Sequence, residues 1–412
     1  MQYGLIGKSL PHSYSAEIHK VIADYDYKLL EIPENELCEF LKKRDFLGIN
    51  VTIPYKETVI PYLDEISENA KKIGAVNTVI NKNGKLFGYN TDFDGLKALI
   101  LKNGIKIPEK KVAILGTGGT SKTAYCVSKE LGAREIIFVS RSLKPNAVTF
   151  SELYEKHTDI EIIINTTPSG MFPNVEKTPV YLDKFHSLQG VIDVVYNPIR
   201  TNLVLDAQKR GIPSEGGLYM LSAQAVYACS HFTGKNIDES AIDTAFNAVK
   251  SQKENIVLIG MPSCGKSTIG KLLSDTLKKD FFDSDEEIIK KIKMPISDFF
   301  KRYGEAEFRK IEKDVISSLS QKSGAVIATG GGAVLDSANV QALKRNGKII
   351  FLNRAIENLI ATEDRPLSSN FEALNDMFSK RYPIYKKSAD IEILADAAPN
   401  DVAAAILKEL IK

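Results

Sequence analysis

A chain of 412 residues is too long for one ordinary hydrophobic core and predicts two or three domains. Its 43% hydrophobic and 26% charged residues are typical of globular proteins, and they argue against a disordered or fibrous chain. The net charge of +2 gives no reason to expect nucleic acid or an anionic membrane as a partner.

The four cysteines are scattered along the chain without a C-x-x-C pair, which argues against a disulfide scaffold or a zinc site. The N-terminus lacks the basic and apolar regions of a signal peptide, and no apolar run is long enough to span a bilayer. We therefore expect a cytoplasmic protein without a membrane partner. We expect the short basic runs at 42–44 and 110–111 to lie on the solvated surface.

Short β-branched or apolar runs alternate with helical-period segments through the whole chain, which predicts an α/β fold with parallel sheets. We expect lobes at about 1–100 and 101–250, a helix at 240–250 that returns to the first lobe, and a third lobe at 255–412. The polar stretch 251–254 is the expected linker.

The first lobe carries polar clusters where predicted strands end, at 13–15, 50–56, 77–78 and 90–92. Taken singly, such residues are usually turn and cap residues. Taken together, they supply hydrogen-bond donors and acceptors that suit a small polyhydroxylated acid. They also include Lys56 and Asp92, which could exchange a proton with a substrate.

A glycine-rich turn, 116–120, follows the predicted strand 111–115 and opens a helix. Glycines there allow the backbone to approach a pyrophosphate, although an ordinary βα turn is the alternative. The next strand, 135–139, ends in Ser140, Arg141 and Ser142, where NAD-binding folds usually have an acidic residue. An arginine between hydroxyls suits a 2′-phosphate and predicts NADP(H), the alternative being a surface arginine.

These clusters, with Asn165 to Met171, Asp193 to Pro198 and Gly216 to Leu221, resemble the shikimate dehydrogenase family in order from about residue 3 to 250. The resemblance implies an α/β substrate lobe, a Rossmann-like NADP domain, and Lys56 and Asp92 as the catalytic pair. It further implies a substrate site at Ser13, Ser15, Thr52, Asn77, Tyr196 and Gln224, and an NADP site at Gly116, Gly118, Gly119, Ser140, Arg141, Ser142 and Gly217. Lys56 would protonate the alkoxide that hydride transfer to a ketone leaves.

The stretch 260–268 reads G-x-x-x-x-G-K-S-T between an apolar run, 256–259, and a helical segment, 269–277. That is the strand–loop–helix context of a phosphate-binding P-loop. Gly260, Gly265 and Thr268 would help form the phosphate cradle, Lys266 would neutralise β/γ charge, and the Ser267 hydroxyl would bind Mg²⁺.

Beyond the P-loop, a short strand ends in Asp283 and Asp285. Asp283 could reach Mg²⁺ through water and Asp285 could orient or deprotonate an acceptor hydroxyl, whereas helix capping is the alternative. With Arg309, the glycines 330–332 and the polar stretch around Arg365, these elements resemble the shikimate kinase family over 255–412. The resemblance implies ATP and Mg²⁺, a shikimate site at Asp285, Arg309, Gly331, Gly332 and Arg381, and a lid with Arg365 over the phosphates.

Both resemblances point to one metabolite. We therefore expect a bifunctional enzyme that reduces 3-dehydroshikimate to shikimate and then phosphorylates shikimate, its partners being these small molecules. One alternative is a dehydrogenase that oxidises quinate with NAD, which Arg141 disfavours. Another is a non-catalytic metabolite sensor, which the presence of Lys56, Asp92, Lys266 and Asp285 disfavours. The sequence leaves the oligomeric state open.

Overall fold

Two compact units divide the chain, Met1–Lys250 and Ser251–Lys412. The computed structural model describes residues 2–10, 13–359 and 371–411. Within the described residues, the first unit contains two six-stranded sheets and the second unit contains one five-stranded sheet. The mixed α/β architecture with parallel sheets confirms the predicted fold class.

A mixed sheet with the strand order β2-β1-β3-β5-β6-β4 opens the first unit. Its strands are β1 (Tyr3–Gly7), β2 (Tyr27–Glu31), β3 (Gly48–Val51), β4 (Glu65–Ile66), β5 (Thr78–Lys82) and β6 (Lys85–Tyr89). The helices among them are α1 (Ser15–Ile22), α2 (Glu34–Lys43), α3 (Glu68–Ile73) and α4 (Thr91–Lys102), with a 3₁₀ turn at Ile60–Tyr62. Strand β5 runs antiparallel to both β3 and β6, whereas β1 runs parallel to β2 and β3.

The second sheet of this unit is parallel throughout, in the order β12-β11-β10-β7-β8-β9. Its strands are β7 (Lys111–Leu115), β8 (Glu135–Ser140), β9 (Ala147–Thr149), β10 (Ile162–Asn165), β11 (Gly190–Asp193) and β12 (Ser214–Glu215). Its helices are α5 (Gly119–Glu130), α6 (Phe150–Lys156), α7 (Asn202–Lys209), α8 (Leu218–Thr233) and α9 (Ser240–Lys253), with a 3₁₀ turn at Leu182–Lys184. Ala245 and Val249 of α9 share a buried cluster with Ile18 of α1 and Leu218 of α8.

The second unit is built on a parallel sheet in the order β14-β15-β13-β16-β17. Its strands are β13 (Asn255–Ile259), β14 (Phe281–Asp283), β15 (Val326–Ala328), β16 (Gly347–Asn353) and β17 (Ile391–Leu394). Its helices are α10 (Lys266–Leu277), α11 (Ser284–Ile292), α12 (Ile296–Ser320), α13 (Ser337–Asn346), α14 (Phe371–Ser388) and α15 (Pro399–Ile411), with 3₁₀ turns at Ala333–Leu335 and Ile356–Asn358. Helix α12 is kinked at Gly304, whose φ of 79° and ψ of 171° are not helical.

No helix within residues 2–10, 13–359 and 371–411 has the length and apolar character needed to cross a bilayer.

The linker that the sequence predicts at 251–254 lies at the boundary between the two units, but it is not a separate irregular segment, because α9 continues as a helix to Lys253 and β13 begins at Asn255. The backbone carbonyl groups of 251–254 accept hydrogen bonds from other residues of the second unit. Lys279 Nζ donates to the carbonyl oxygens of Ser251, Gln252 and Glu254 at 2.8, 3.1 and 2.9 Å. The backbone N–H of Gly324 donates to the Lys253 carbonyl at 2.7 Å.

The prediction that Lys110 and Lys111 lie on the solvated surface is wrong for Lys111, which is only 6% exposed. Its Nζ lies 3.0 Å from Asp159 Oδ1 and 3.4 Å from Glu135 Oε2, so the buried ammonium is paired. Lys110 lies 2.8 Å from Glu161 Oε1. These carboxylates come from the ends of neighbouring segments of the sheet, and local charge counting does not reveal them.

Substituting Lys279→Met should lower the free energy of unfolding of the second unit by about 1–2 kcal/mol, because three carbonyl groups lose a charged donor and only water can replace it. Hydrogen exchange of the amides of β13 and α10, measured on the intact chain, reports this local stability. Lys278→Met is the matched control, since the neighbouring Lys278 is exposed. Equal exchange rates in the two variants would contradict the capping role.

Two candidate catalytic clefts

Polar residues of the first sheet collect at one edge because of the way its strands run. Strands β1, β3 and β6 end at this edge, and antiparallel β5 begins there, with Thr78 opposite Asn50 and Tyr89. The segments that follow or precede these strand ends therefore meet in space. The structure thus brings together the clusters 13–15, 50–56, 77–78 and 90–92, which are up to about 80 residues apart in sequence.

Lys56 and Asp92 form an ion pair at this edge, with Lys56 Nζ 2.5 Å from Asp92 Oδ2. Their side chains are 24% and 14% exposed, so the pair is largely shielded but reachable from the cleft. Tyr55, which is fully buried, anchors the loop of Lys56 by donating to the Ile32 carbonyl at 2.5 Å. Asp92 lies in the first turn of α4, which Asn90 caps by accepting from the backbone N–H of Phe93.

A buried hydrogen-bond network fixes the side-chain amide of Asn77 beside this pair. The backbone N–H of Thr91 donates to Asn77 Oδ1 at 2.7 Å, and Asn77 Nδ2 donates to Thr91 Oγ1 at 3.1 Å. Asn50 Nδ2 donates to Thr78 Oγ1 at 3.0 Å, and Gln224 Oε1 accepts from Thr91 Oγ1 at 3.5 Å. Asn77 and Gln224 therefore belong to one constellation, although α8 carries Gln224 and the pair is 147 residues apart.

The remaining residues predicted for the substrate site lie around the same edge. The backbone N–H of Ser15 donates to Ser13 Oγ at 3.3 Å, and the Thr52 methyl group lies against Gly7. Tyr196 follows β11 and its ring lies 5.3 Å from that of Tyr14. Burial raises the pKa of Tyr196 to about 12, which keeps its phenol protonated as a donor. His12, from the motif 12–15, lies outside the described residues.

The glycine-rich turn lies at the switch point of the second sheet, where β8 pairs with one side of β7 and β10 with the other. Gly116 has a φ of +112°, a conformation that favours glycine. A side chain at Gly118 or Gly119 would meet no protein atom within 4 Å, so protein packing does not require glycine there. Open space above the N-terminus of α5 fits a pyrophosphate that contacts the backbone.

Ser140 is the last residue of β8, and Arg141 and Ser142 follow it as exposed residues. Lys144 is not predicted from the sequence, and its Nζ donates to Thr117 Oγ1 in the glycine-rich turn at 2.9 Å. Two cations, on Arg141 and Lys144, therefore flank the turn, and this donor set fits the extra phosphate of NADP. A search for every cation shortly after β8 would have found Lys144.

A buried network below the two following loops centres on Asp193, at the end of β11. Asp193 is fully buried and accepts from Asn165 Nδ2 at 2.9 Å, Thr201 Oγ1 at 2.7 Å and the backbone N–H of Val195 at 3.0 Å. It thereby joins the loop after β10 to the loop that carries Tyr196. Gly217 packs against the Val194 backbone so closely that a side chain would collide with it.

In the second unit, the P-loop follows the central strand β13 and precedes α10. Gly260 has a φ of +147°, and a side chain there would lie 2.7 Å from the Leu352 carbonyl oxygen. Both the backbone conformation and the close packing therefore require glycine at this position. Gly265, at φ +96°, caps α10. Lys266 Nζ donates to the carbonyl groups of Gly260 and Met261 at 2.9 and 2.8 Å, which places the ammonium over the loop. Thr268, in the first turn of α10, lines the same cavity.

Ser267 Oγ donates to Asp283 Oδ2 at 2.6 Å, and the backbone N–H of Asp285 donates to Asp283 Oδ1 at 2.9 Å. Asp283 therefore caps α11, as the alternative interpretation holds, and also faces the P-loop. A hydroxyl and a carboxylate at this distance are oxygen donors of the kind that Mg²⁺ binds while it keeps several waters. Groups of three or more His, Cys, Asp or Glu suited to a metal are absent from the described residues.

Each glycine of the 330–332 loop lies against a different functional group. A side chain at Gly330 would lie 2.5 Å from Asp285 Oδ1, and one at Gly331 would lie 3.0 Å from Pro262 Cδ in the P-loop. One at Gly332 would collide with the Arg309 guanidinium. The three glycines thus let the backbone pass between the P-loop and the acceptor side of the cleft.

Arg309 and Arg381 reach the same cleft from α12 and α14. Arg309 Nη1 donates to Glu312 Oε2 at 2.7 Å, and burial raises the pKa of Glu312 above its ordinary value. The cleft is a cavity of about 570 Å³. Besides the P-loop, Asp283, Asp285, Thr329 and the glycine loop, it is lined by Ile289, Ile296, Phe300, Phe308, Arg309, Glu312, Met377 and Arg381. Arg365 and the predicted lid at 364–367 lie outside the described residues.

A parallel dinucleotide-type sheet beside a lysine–carboxylate pair is the arrangement of a nicotinamide-dependent dehydrogenase. A P-loop that shares one cavity with two arginines and three carboxylates is the arrangement of a small-molecule kinase. The chain therefore joins these two classes of enzyme.

Comparisons with known proteins name both classes. Residues 5–79 match the family model described as shikimate dehydrogenase substrate binding domain, and residues 262–411 match the model described as shikimate kinase. The shikimate dehydrogenase (NADP(+)) of Clostridium beijerinckii is 39% identical over 55% of this chain and 89% of that protein. The chain belongs to the shikimate dehydrogenase family, and its second unit is a shikimate kinase domain.

Solved structures agree with the fold of the first unit. A chorismate mutase/shikimate 5-dehydrogenase fusion from Clostridium acetobutylicum has a TM-score of 0.57 and 35% identity over 60% of this chain and 95% of that one. The shikimate 5-dehydrogenase of Thermus thermophilus, solved with NADP(H) and shikimate, has a TM-score of 0.55 and 27% identity over 60% of this chain and 99% of that one. The predicted family resemblance and cofactor classes are thereby confirmed.

Substituting Asp193→Asn should make the free energy of unfolding of the first unit rise more steeply, or fall less steeply, as pH increases from about 4 to 7. Burial raises the pKa of Asp193 from 3.8 to about 7. Between these values the native state holds a proton that the unfolded state has lost, so this group lowers the free energy of unfolding as pH rises from about 4 to 7. Asn keeps an acceptor for Val195 and loses the titration.

Thermal unfolding of the intact chain and both variants across this pH range measures the effect. Asp183→Asn, which removes an exposed carboxylate of the same unit, should leave the slope as in the unaltered chain. An unchanged slope in the Asp193 variant would contradict the assignment.

Proposed function

We propose that the chain is a bifunctional enzyme that makes shikimate 3-phosphate in two steps. The first unit reduces 3-dehydroshikimate to shikimate with NADPH, and the second phosphorylates the shikimate 3-hydroxyl with MgATP. The observation that carries this proposal is the presence of both sets of reacting groups, the Lys56–Asp92 pair at 2.5 Å and the Ser267–Asp283 pair at 2.6 Å. We divide the chain into a substrate lobe at 1–100, an NADP domain at 101–250 and a kinase domain at 255–412, in the cytoplasm.

In the first unit, Lys56 acts as the proton donor to the substrate oxygen. The glycine-rich turn, Arg141 and Lys144 would hold NADPH, which would supply the hydride when bound. Asp92 holds the Lys56 ammonium by a short ion pair and orients it toward the substrate. Asn77 and Gln224, fixed by Thr91, bind the ring hydroxyls, with Ser13, Ser15, Thr52 and Tyr196 completing the site.

In the second unit, the chain contributes mainly positioning and charge. Lys266 and the P-loop amides bind the phosphates, and Ser267 and Asp283 hold Mg²⁺. Asp285 accepts the proton of the 3-hydroxyl and orients it for attack. Arg309 and Arg381 bind the carboxylate, beside Gly331 and Gly332, because a guanidinium matches a carboxylate in bidentate geometry.

Two alternatives are disfavoured by particular observations. A non-catalytic sensor would not need the complete Lys56–Asp92 and Lys266–Ser267–Asp283 sets, and none of the comparisons above supports it. Oxidation of quinate with NAD would not need the two cations that follow β8, and the Clostridium beijerinckii relative carries NADP(+) in its name. Turnover of shikimate and of quinate, each measured with NADP and with NAD, decides between the proposed dehydrogenase and a quinate dehydrogenase.

Substituting Lys56→Met should reduce kcat for 3-dehydroshikimate reduction by about a thousandfold, because the alkoxide loses its proton donor. The same variant should phosphorylate shikimate at the unaltered rate. Conversely, Lys266→Met should abolish most shikimate-dependent ADP formation, through loss of phosphate neutralisation, and leave the reductase unchanged.

Each variant is thus the folding control for the other, and both reactions are measured on the intact chain. Absence of both activities in the unaltered chain would refute the proposal in favour of a sensor.

Substituting Arg141→Ala should raise the KM for NADPH about tenfold or more, because a charge-assisted hydrogen bond to the 2′-phosphate is lost. The KM for NADH should stay within about twofold, since that cofactor lacks the phosphate. Lys144→Ala should act in the same direction. Arg210→Ala serves as the control, because it removes a solvent-exposed ion pair with Asp206 at the end of α7. An equal effect on both cofactors would exclude 2′-phosphate recognition by Arg141.

A further inference from the structure

Tyr385 is a buried tyrosine of α14 whose hydroxyl points at the glycine loop of the kinase cleft. It is fully buried, and its hydroxyl donates to the Gly331 carbonyl at 2.5 Å. Its ring stacks on Phe351 of β16, with centroids 5.2 Å apart and planes 17° apart. Burial raises the pKa of Tyr385, so the phenol remains a donor. The side chain is therefore fixed at both its apolar face and its polar tip.

The same carbonyl has a second donor on the same helix. Arg381 Nη1 lies 3.1 Å from the Gly331 carbonyl oxygen. Residues four apart share one face of a helix, and a carbonyl oxygen has two lone pairs, so both donors can bind at once. The position of Gly331 and the direction of the Arg381 guanidinium are consequently set by one shared acceptor.

The opposite side of the glycine loop is closely packed. A side chain at Gly331 would lie 3.0 Å from Pro262 Cδ, and one at Gly332 would collide with the Arg309 guanidinium. The loop is thus held between the P-loop and Arg309 on one side and α14 on the other.

We propose that Tyr385 is a positioning residue for the phosphoryl acceptor, acting through the Gly331 carbonyl on the glycine loop and on Arg381. Tyr385 itself contacts neither the acceptor nor the nucleotide. It holds the backbone of 331–332 and the guanidinium of Arg381 where a hydroxylated carboxylic acid binds. This inference rests on the proposed kinase function of the second unit and adds a residue that the sequence analysis did not select.

Tyr385→Phe keeps the stacked ring and removes only the hydroxyl. In the intact chain this variant should raise the KM for shikimate about tenfold, equivalent to about 1.4 kcal/mol, with kcat within about threefold. The affinity for ATP in the absence of shikimate should be unchanged, because Lys266 and the P-loop are untouched. The reductase activity of the same preparation measures active enzyme concentration.

Tyr382→Phe is the matched control, since Tyr382 lies on the same helix and is half-buried against Phe351 and Phe378. Its kinetic constants should equal those of the unaltered chain. A double-mutant cycle with Arg381→Lys adds a readout that simple loss of stability would not give. Because both side chains act on one carbonyl, their effects on the KM for shikimate should be clearly less than multiplicative.

Three outcomes would overturn the inference. A KM for shikimate in the Tyr385→Phe enzyme within twofold of the unaltered value would overturn this inference and leave the proposed kinase function intact. Parallel increases in the KM for ATP and for shikimate, with a lowered unfolding temperature, would mark general loosening instead of positioning. Absence of shikimate-dependent ADP formation by the unaltered chain would refute the proposed kinase function and this inference with it.

Discussion

Parallel strands of one sheet end at the same edge, and the sites of this chain depend on that constraint. Lys56 and Asp92 follow different strands of the first sheet, yet they meet because both strands end together. The dinucleotide-type turn follows β7 and the P-loop follows β13, each a central strand with neighbours on both sides. Hydrophobic burial of the strands therefore fixes where the polar loops lie, and the loops supply the chemistry.

Close packing at these edges leaves little freedom for side chains. At Gly217, Gly330 and Gly332, backbone or a charged side chain occupies the space that a Cβ would take. The buried carboxylates are held in the same way. Asp193 has three donors, and Glu312 lies 2.7 Å from Arg309. Both carboxylates thereby have partners that compensate for their removal from water.

The sequence was sufficient to predict the groups that lie within motifs. The strands at 111–115, 135–139 and 256–259, and the loops that follow them, have local signatures in glycine spacing and apolar runs. Residues whose role depends on a distant partner had no such signature. Tyr385 reaches Gly331 over 54 residues and Lys111 reaches Asp159 over 48, and no periodicity links either pair.

The conformation of the junction at 251–254 also involves residues that are distant in the sequence. Its polar composition is typical of a flexible connection, and composition describes only the preference of the isolated segment. The segment is helical to Lys253 because Lys279 and Gly324 bind its carbonyl groups, and those donors lie about 25 and 70 residues further along the chain. Gln252 and Lys253 are also good helix formers, so local propensity and these tertiary contacts act in the same direction.

The central position of β13 determines how the gene can be dissected. The kinase family match begins at residue 262, beyond β13, although this strand pairs with β15 on one side and β16 on the other. A fragment cut at the limits of that match would lack the middle of its sheet. A fragment that begins at Asn255 would keep β13. It would, however, lack the carbonyl groups of 251–254 that accept hydrogen bonds from the Lys279 ammonium and the Gly324 backbone N–H. Independent expression of the second unit therefore requires a start upstream of Ser251, within α9.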